Sequence, residues 1–479
     1  MIKILRYIFF ALIILFLILI IRAIRFKPLK QKEVEPFDVE LDESTIIENF
    51  VEMIKCKTVS YKDESLEDEK EFEKFRELLK EKYPAVNNKC KLYNIGRTGV
   101  LYHWKGKRSD KPVVFMAHYD VVPVNEKQWE KEPFSGLIED GYIWGRGTLD
   151  TKGTLCGIME AAEKLISDGF EPENDIYLSF SGEEEIDGRS TESIVSFLES
   201  NGVKPFMVLD EGGAIVEGAI PGVKGKCALV GTGEKGKMHV KISTKTQGGH
   251  ASSPPAITPI GRLARSVVRI EKNPFKYHLS EPAKDMFNIL GRHSTFGLKI
   301  IFANISFFRP LLDLITRKKG GELNALFRST IALTKMEASK AVNVFPPYAS
   351  IEGDVRIMEG DTEDSIINGL KKRIKDDKVS VEALKVVKVN PFSEINTEAW
   401  YLLEESVRQV WPETIVSPYL MLACSDSRSY TQISENVYRF SAMELDSVER
   451  KLIHGNNERI PSNKVIEAVK FYICVMKKF

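Results

Sequence analysis

The sequence predicts an α/β fold with a mainly parallel sheet, a smaller α+β domain inserted into it, and an N-terminal transmembrane helix. Short apolar runs recur along the chain, beginning with PVVFMAHYD at 112–120, and such runs are typical of strands buried on both faces of a parallel sheet. A helical pattern at 151–168 follows the first run, which favours a right-handed crossover. From about residue 230 the pattern changes to the alternation of half-exposed strands, as at 237–244.

A run of apolar residues near the N-terminus predicts a membrane anchor. Residues 7–21 (YIFFALIILFLILII) have one polar group, the hydroxyl of Tyr7, and with their apolar neighbours they approach the roughly 20 residues that cross a bilayer. A cleaved signal peptide is the alternative, but its apolar region is usually shorter and a small-x-small cleavage site should follow. The sequence RAIR at 22–25 is a poor cleavage site. The residues therefore favour an uncleaved single-pass anchor within 1–30.

Composition limits the other function classes. The chain has 479 residues, which is too long for one compact core, and its 68 basic and 68 acidic residues give no net charge. This balance argues against a nucleic-acid partner, because nucleic-acid binders usually carry a basic excess. The six cysteines are scattered without a C-x-x-C pair, so a dense disulfide framework or a zinc ribbon is not expected.

The expected organisation has four segments. The anchor occupies 1–30, the main domain comprises 31–229 and 390–479, and the inserted domain covers 230–389. Within the inserted domain, residues 287–315 are rich in Phe, Leu and Ile but are interrupted by charges and a proline. This stretch could be core, a membrane-facing patch or the wall of a pocket, and its residues favour core.

Polar residues with metal-ligand chemistry follow the predicted strands. His118 and Asp120 share one side of a strand end, because residues i and i+2 of a strand point the same way. On its own the pair could be a simple hydrogen-bonded pair. Four further clusters recur down the chain, namely GRGTLDTKG (145–153), SGEEEIDG (181–188), LDEGG (209–213) and HGNNERIP (454–461).

Together the clusters predict a metal centre. The candidate ligands are two imidazoles and three carboxylates: His118, Asp150, Glu185, Asp210 and His454. This mixed nitrogen and oxygen set suits zinc, and it could hold two ions if Asp150 bridges them. Each residue also has an ordinary interpretation: a surface glutamate triplet, a helix N-cap at Asp150, a surface histidine at 454. Repeated buried acids nevertheless favour a metal, since unpaired buried charges are costly.

The ordered motifs, together with GGHASSPP at 248–255, resemble those of the di-zinc aminoacylase and carboxypeptidase family. This family includes Gly-X carboxypeptidases, acetylornithine deacetylase and succinyl-diaminopimelate desuccinylase. The anchor and the apolar insert look most like the branch of vacuolar carboxypeptidase S and N-fatty-acyl-amino-acid hydrolase. The resemblance spans residues 45–475. It implies a zinc-peptidase catalytic domain and identifies the inserted domain with the family's lid and dimerisation domain.

The resemblance also implies roles for individual residues. His118, Asp150, Glu185, Asp210 and His454 would hold two zinc ions, with Asp150 bridging, and Asp120 would orient His118. Glu184 would be the general base, although the triplet also offers Glu183. The expected substrate contacts are His250, Asn343 and Arg356, with Arg428 in the CSDSR loop, where Cys424 and Ser425 replace a glycine-containing start in relatives.

The implied activity is zinc-dependent hydrolysis of the amide bond in dipeptides or N-acyl amino acids with a free C-terminal carboxylate. A biosynthetic deacetylase or desuccinylase is the alternative enzyme, and an inactive binding protein on the same fold is the alternative from another class. The implied partners are a small-molecule substrate, the membrane and a second copy of the chain. Basic residues after the anchor would keep the body cytoplasmic, whereas the resembling branch works in vacuolar or extracellular space and favours a luminal or extracytoplasmic body.

Overall fold

The computed structural model describes residues 2–479 and has the following elements. The helices are α1 (Ile2–Arg25), α2 (Glu43–Ile54), α3 (Glu69–Lys82), α4 (Pro84–Lys89), α5 (Lys152–Ser167), α6 (Ser190–Ser200), α7 (Pro259–Lys272), α8 (Glu281–Gly291), α9 (Phe296–Phe302), α10 (Arg309–Lys319), α11 (Gly321–Ala325), α12 (Glu363–Ile374), α13 (Glu398–Val410) and α14 (Ser462–Met476). The strands are β1 (Lys91–Ile95), β2 (Gly99–Trp104), β3 (Arg108–His118), β4 (Ile138–Glu139), β5 (Tyr142–Trp144), β6 (Asn174–Ser181), β7 (Met207–Asp210), β8 (Ile215–Glu217), β9 (Lys226–Glu234), β10 (Gly236–Lys245), β11 (Gly249–His250), β12 (Thr330–Glu337), β13 (Val344–Phe345), β14 (Tyr348–Ile357), β15 (Ser380–Val387), β16 (Ile415–Met421), β17 (Val437–Arg439) and β18 (Arg459–Pro461).

A nine-stranded mixed sheet forms the centre of the molecule. Its order is β1-β2-β6-β3-β7-β17-β9-β16, with β8 alongside β9. The central strands β6, β3, β7 and β17 run parallel, whereas β1 and β2 pair antiparallel at one edge. The predicted α/β class with a mainly parallel core is confirmed. Strand β17 is short and ends at Arg439.

Helices cover the sheet and explain why the second half of its middle strand, β3, is apolar and buried. Residues 113–118 of β3 are all buried, and α5 packs with α14 over the same core. The two helices approach closely at Gly157, where a Cβ would lie 3.0 Å from the ring of Tyr472 and 3.3 Å from Ala468. Gly157 and Ala468 therefore allow α5 to pack closely against α14, and this packing positions the loop that precedes α5.

A second, antiparallel sheet lies between residues 236 and 387. Its order is β12-β14-β10-β15, and it has its own hydrophobic cluster, to which α7 and α12 contribute. Helix α12 spans residues 363–374, and its start is fixed by a reciprocal pair of hydrogen bonds between Thr362 and Ser365. The α+β pattern expected from the sequence is present in this part of the chain.

Helix α1 is long and apolar enough to cross a membrane, which makes it a candidate anchor or signal sequence. Its C-terminal turns contact the apolar insert, where the side-chain amide of Asn304 donates to the carbonyl of Leu19 at 3.1 Å. The insert forms α8, α9 and α10. The core interpretation holds for Phe287 and Leu290, which are buried, but not for Phe307 and several neighbours, which are exposed.

Candidate active site

His118 ends β3 at the carboxyl edge of the central sheet. Its Nδ1 lies 3.0 Å from the backbone oxygen of Asp120, and its Nε2 lies 3.0 Å from Oδ1 of Asp150. Burial opposes the charged imidazole, but the carboxylates of Asp120 and Asp150 outweigh it and hold the pKa of His118 well above its usual range. Asp120 thus holds Nδ1 of the imidazole, and Nε2 faces the carboxylate of Asp150.

Asp150 follows the glycine-containing loop and is positioned by a buried carboxylate far away in the sequence. Glu458 accepts hydrogen bonds from the backbone N–H groups of Leu149 at 2.8 Å and of Asp150 at 3.3 Å, and it also binds Arg146. The residue preceding α5 is Thr151, so Asp150 is not its N-cap. Glu458 therefore ties the late HGNNERIP segment to the loop that carries Asp150.

His454 completes the contact between these two segments. Its Nε2 lies 2.9 Å from Oδ2 of Asp150 and 3.0 Å from Oε1 of Glu185. Hydrogen bonds to Asp150 and Glu185 raise the pKa of His454 to about 10. One imidazole thus meets both carboxylates, although it lies more than 260 residues from either of them.

The three glutamates at 183–185 have different surroundings. Glu183 is buried and binds Arg97 at 2.8 Å and the backbone N–H of Ser190 at 3.1 Å. The backbone N–H groups of Glu184 and Glu185 instead donate to the carboxylate of Asp120, each at 3.1 Å. Glu183 therefore has a structural environment, while Asp120 holds the turn that carries Glu184 and Glu185.

Asp210 and Glu211 lie at the end of β7, and their carboxylates have different neighbours. Asp210 accepts the backbone N–H of Ser427 at 3.2 Å, and burial raises its pKa. Burial, followed by the negative charges of Asp150 and Asp210, raises the pKa of Glu211 well above its usual range, and His118 opposes this shift. Glu211 thus belongs electrostatically to the His118 and Asp150 cluster.

The donor atoms fit a metal ion. Ligand atoms of His118, Asp150 and Glu185 all lie within 4.8 Å of one another. Burial raises the pKa of Glu185 and raises that of Glu184 well above its usual range, which means that ionising this crowded group is costly without a compensating cation. Nitrogen and carboxylate oxygen are the ligands of zinc sites in which an open position remains.

The predicted substrate contacts fall into two groups. His250 in β11 pairs across to β13 and bonds to Ser252 at 2.7 Å, and the carbonyl of Asn343 accepts the N–H of Ala251. Arg356 in β14 binds Asp354 at 2.8 Å and reaches Cys424. Arg428 binds Asp187 at 3.2 Å. The side chains of Arg356 and Arg428 are therefore held by neighbours near the junction of the two sheets, whereas those of His250 and Asn343 are not.

Comparison with known proteins places this geometry in a family. A model described as peptidase family M20/M25/M40 matches residues 114–478. The chain belongs to this peptidase family. It is similar to the probable carboxypeptidase S-like 2 of Dictyostelium discoideum, 34% identical over 476 residues, covering 96% of this chain and 91% of that one. The N-fatty-acyl-amino acid synthase/hydrolase PM20D1 of Xenopus tropicalis is 34% identical over 444 residues, covering 91% and 86% respectively.

A solved structure supports the same fold. The M20 family metallo-carboxypeptidase Sso-CP2 from Sulfolobus solfataricus matches with a TM-score of 0.63 and 18% identity, covering 91% of this chain and 99% of that one. The family resemblance predicted from the motifs is confirmed, and so is the prediction of a hydrolytic enzyme. The family and the cluster of His118, Asp150 and Glu185 support a metal-dependent peptidase or amidohydrolase.

The sequence motifs of this M20/M25/M40 chain did not single out three acidic residues that shape the site. Glu211 is adjacent to the predicted Asp210, and Glu458 lies inside the HGNNERIP motif. Asp187, two residues after Glu185, binds Lys237 and Lys385 of the second sheet, both at 3.1 Å. All three residues lie inside motifs identified in the sequence, so their position within a motif was the only indication of a role. Which group each carboxylate binds could be seen only in the folded structure.

Proposed function

We propose that the protein is a zinc-dependent carboxypeptidase or amidohydrolase that cleaves the amide bond of dipeptides or N-acyl amino acids with a free C-terminal carboxylate. The observation that carries this proposal is the convergence of His118, Asp150, Glu185 and His454 beside Glu184. Two imidazoles and several carboxylates at one sheet edge are costly to assemble unless they serve a cation.

His118, Asp150, Glu185 and His454 would hold two zinc ions, with Asp150 as a shared ligand. Its two oxygens face different imidazoles, since Oδ1 lies near His118 and Oδ2 near His454, and this is the arrangement that a bridging carboxylate needs. Glu185 would share the ion with His454. Asp210 was the expected carboxylate for the other ion, and the neighbours of Glu211 favour that residue as a ligand of the same ion.

Glu184 would be the general base. A bound metal ion supplies a Lewis acid that polarises the substrate carbonyl and lowers the pKa of water. Glu184 would take a proton from the attacking water and deliver it to the leaving amine. The buried setting that raises the pKa of Glu184 suits a carboxylate that has to hold this proton between the two steps.

The second sheet would bind the substrate and close over it as a lid. Arg356 offers a guanidinium fork for the substrate carboxylate, which is geometrically apt for such a group, and Asn343 and Arg428 would assist. His250 is exposed and bonds within its own turn, so it would reach a reacting carbonyl through lid closure or from the partner of a homodimer. We propose residues 230–389 as this lid and dimerisation domain, and 31–229 with 390–479 as the catalytic domain.

The relatives leave two substrate classes, since one is named a carboxypeptidase and the other an N-fatty-acyl-amino acid synthase/hydrolase. A biosynthetic deacetylase or desuccinylase has less support because α1 favours a membrane location. We propose that α1 is an uncleaved anchor with the catalytic body on the luminal or extracytoplasmic side. An inactive binding protein on this fold would require that the cluster holds no catalytic metal.

A substrate screen tests the proposal. Zinc-loaded full-length protein in detergent would be assayed against dipeptides, short-chain and long-chain N-acyl amino acids, and matched C-terminal amides that lack the carboxylate. We expect hydrolysis of the acids and not of the amides, with Glu184→Gln as the inactive control. A lack of turnover on every acid by protein with a full metal complement would instead favour the binding protein.

A further inference from the structure

The apolar insert presents an exposed hydrophobic surface beside the candidate membrane helix. We call this the insert surface; it consists of Phe296, Phe307, Leu311, Leu314 and Ile315. Leu311, Leu314 and Ile315 share one face of α10, because residues three and four apart are helix neighbours. Leu314 is 53% exposed and Phe307 is 51% exposed. An apolar face of this kind marks a contact site for another surface.

The position of α1 indicates which surface that is. Helix α1 is almost entirely exposed except at Leu19 and Ala23, which lie one turn apart on the same face, and α9 of the insert contacts this helix. Asn304 contacts α1 at the carbonyl of Leu19, six residues before the helix ends at Arg25. At 1.5 Å per residue this contact lies about 9 Å inside the C-terminal end of the helix.

The same end of α1 is fixed by further contacts to the insert. Arg292 donates to the carbonyl of Lys27 at 3.0 Å, and its guanidinium lies 4.6 Å from the ring centroid of Phe26. A Cβ at Gly291 would lie 3.1 Å from the ring of Phe26. The insert is therefore held at the level where α1 would enter a bilayer, at the depth of about 5–10 Å to which interfacial helices sink.

Charge at the edge of the insert surface fits the same partner. Helix α10 ends in Arg317, Lys318 and Lys319, all exposed. Apolar residues on one face followed by basic residues are typical of helices that lie in the interface between lipid headgroups and acyl chains.

We propose that the insert surface binds the lipid bilayer and, with α1, orients the catalytic body on the membrane. One helix leaves a domain free to swivel on its linker, whereas a second contact that also packs against the helix fixes one orientation. This inference rests on the proposed membrane anchoring of α1 and adds a second, independent attachment. It concerns orientation and is separate from hydrolysis.

The test uses full-length protein reconstituted into phosphatidylcholine vesicles that contain a phospholipid with a photoactivatable acyl chain. Cross-linked peptides are mapped by mass spectrometry. We expect lipid adducts on α1 and on residues 296–315. Adducts confined to α1 would overturn the inference and leave the anchor intact, and adducts on neither segment would overturn both. A bifunctional amine cross-linker applied to the same vesicles tests the alternative: links between two copies through Lys318 or Lys319 of α10 would also overturn the inference, because a second chain would then cover the surface.

Two variants sharpen this test. Leu311→Glu with Leu314→Glu should abolish the adducts on α10 while those on α1 persist. The matched control is Leu384→Glu in β15, where the side chain is also 53% exposed, and this change should leave the map unaltered. Unchanged adducts on α10 in the double variant would contradict the inference. The wild-type map decides the question even if the variant folds poorly, and activity on a soluble substrate, measured in parallel, separates failure of the proposed function from failure of this proposal.

Discussion

The carboxylate of Asp120 accepts the backbone N–H of Glu184 at 3.1 Å. Its other oxygen accepts the N–H of Glu185, also at 3.1 Å, and the hydroxyl of Ser60 at 2.7 Å. Nδ1 of His118 lies 3.3 Å from the first oxygen. The fully buried side chain of Asp120 thus holds the proposed base, Glu184, and two proposed metal ligands, Glu185 and His118. Its role is to position these groups, since its two oxygens are already occupied by protein donors.

Replacing Asp120 should therefore disturb metal binding and turnover together. Asp120→Asn keeps one acceptor and loses the other, so one of the two N–H groups of the turn loses its partner. We expect metal affinity or kcat to fall by about 10- to 100-fold, as is usual when a partner of a metal ligand is changed. Ser60→Ala is the control that removes one donor and keeps both oxygens, and it should be much milder. Equal effects of the two changes would argue against this positioning role.

Glu184→Gln should keep the fold and the metal but lose turnover. The amide cannot carry the proton from water to the leaving amine, and general acid–base contributions are typically about a hundred- to ten-thousand-fold. We expect kcat to fall by that order, with unchanged metal content by mass spectrometry and an unchanged melting temperature. Glu199→Gln, an exposed change on α6, is the control. Near-normal kcat in Glu184→Gln would remove this residue as the base.

Much of the fold followed from sequence because apolar periodicity reports burial directly. The apolar run at 113–117 predicted a buried strand, and the structure has residues 113–118 of β3 buried. The burial of the insert was harder to predict from the sequence. Its apolar residues are divided between the core and an exposed surface, and because their composition is the same in both, only the fold shows which residues are buried.

In the site, motif order predicted which segments meet but not which atom of each segment faces the centre. LDEGG contains two adjacent acids where β7 ends, with Asp210 in the strand and Glu211 in the bend that follows it, so strand alternation alone does not fix the directions of their side chains. Which of Asp210 and Glu211 faces His118 depends on how Ser427 and Arg439 approach from elsewhere. Likewise, the contacts of Glu183 with Arg97 and Ser190 distinguish it from Glu184, and these contacts are visible only in the fold.

The neighbours of Asp210 and Glu211 lead to a test of metal stoichiometry. Besides burial, the charges of Asp150, Asp210, His118 and Glu185 act on the pKa of Glu211, whereas the carboxylate of Asp210 accepts the backbone N–H of Ser427. We expect Glu211→Gln to lower bound zinc at least as much as Asp210→Asn does, measured by elemental analysis after dialysis against a chelator and reloading. Full zinc content in Glu211→Gln, with loss of zinc in Asp210→Asn, would show that Asp210, and not Glu211, is the metal ligand.

Lys235 gives a pH prediction that does not depend on the metal. Its ammonium is buried and donates to the carbonyl of Arg328 at 2.7 Å. Burial, together with Arg356 and Arg328, lowers its pKa from 10.5 to about 7. Between these values the unfolded chain binds a proton that the folded chain does not, so this residue makes the free energy of unfolding rise with pH.

Lys235→Met removes this titration and serves as the comparison. We expect the stability advantage of the variant over the wild type to shrink as pH rises from about 7 towards 10, by a few kcal/mol at most, because each unit of pKa shift is worth about 1.4 kcal/mol. Urea unfolding across this range measures it. A stability difference that is independent of pH would mean that Lys235 titrates normally in the folded protein.

Asp187 connects the turn that carries Glu184 and Glu185 to the second sheet. Its carboxylate binds Lys237 of β10 and Lys385 of β15, and it also binds Arg428. Burial opposes its charge, but the hydrogen bond and charge of Lys237 outweigh burial and lower the pKa of Asp187. A carboxylate with three cationic partners should fix the second sheet relative to the catalytic turn.

Asp187→Asn should therefore reduce kcat/KM without loss of zinc, because substrate groups on the second sheet would no longer be held in register with the turn. The backbone φ of Asp187 is +54°, and Asn tolerates this region well, so the change tests charge rather than backbone strain. Asp140→Asn is the matched control, since Asp140 has a φ of +51° and is exposed. The steady-state kinetics and zinc content of both variants decide the question. Loss of zinc in Asp187→Asn would assign Asp187 to the metal centre. Equal kinetics in the two variants would show that the ion pairs of Asp187 do not couple the second sheet to the turn.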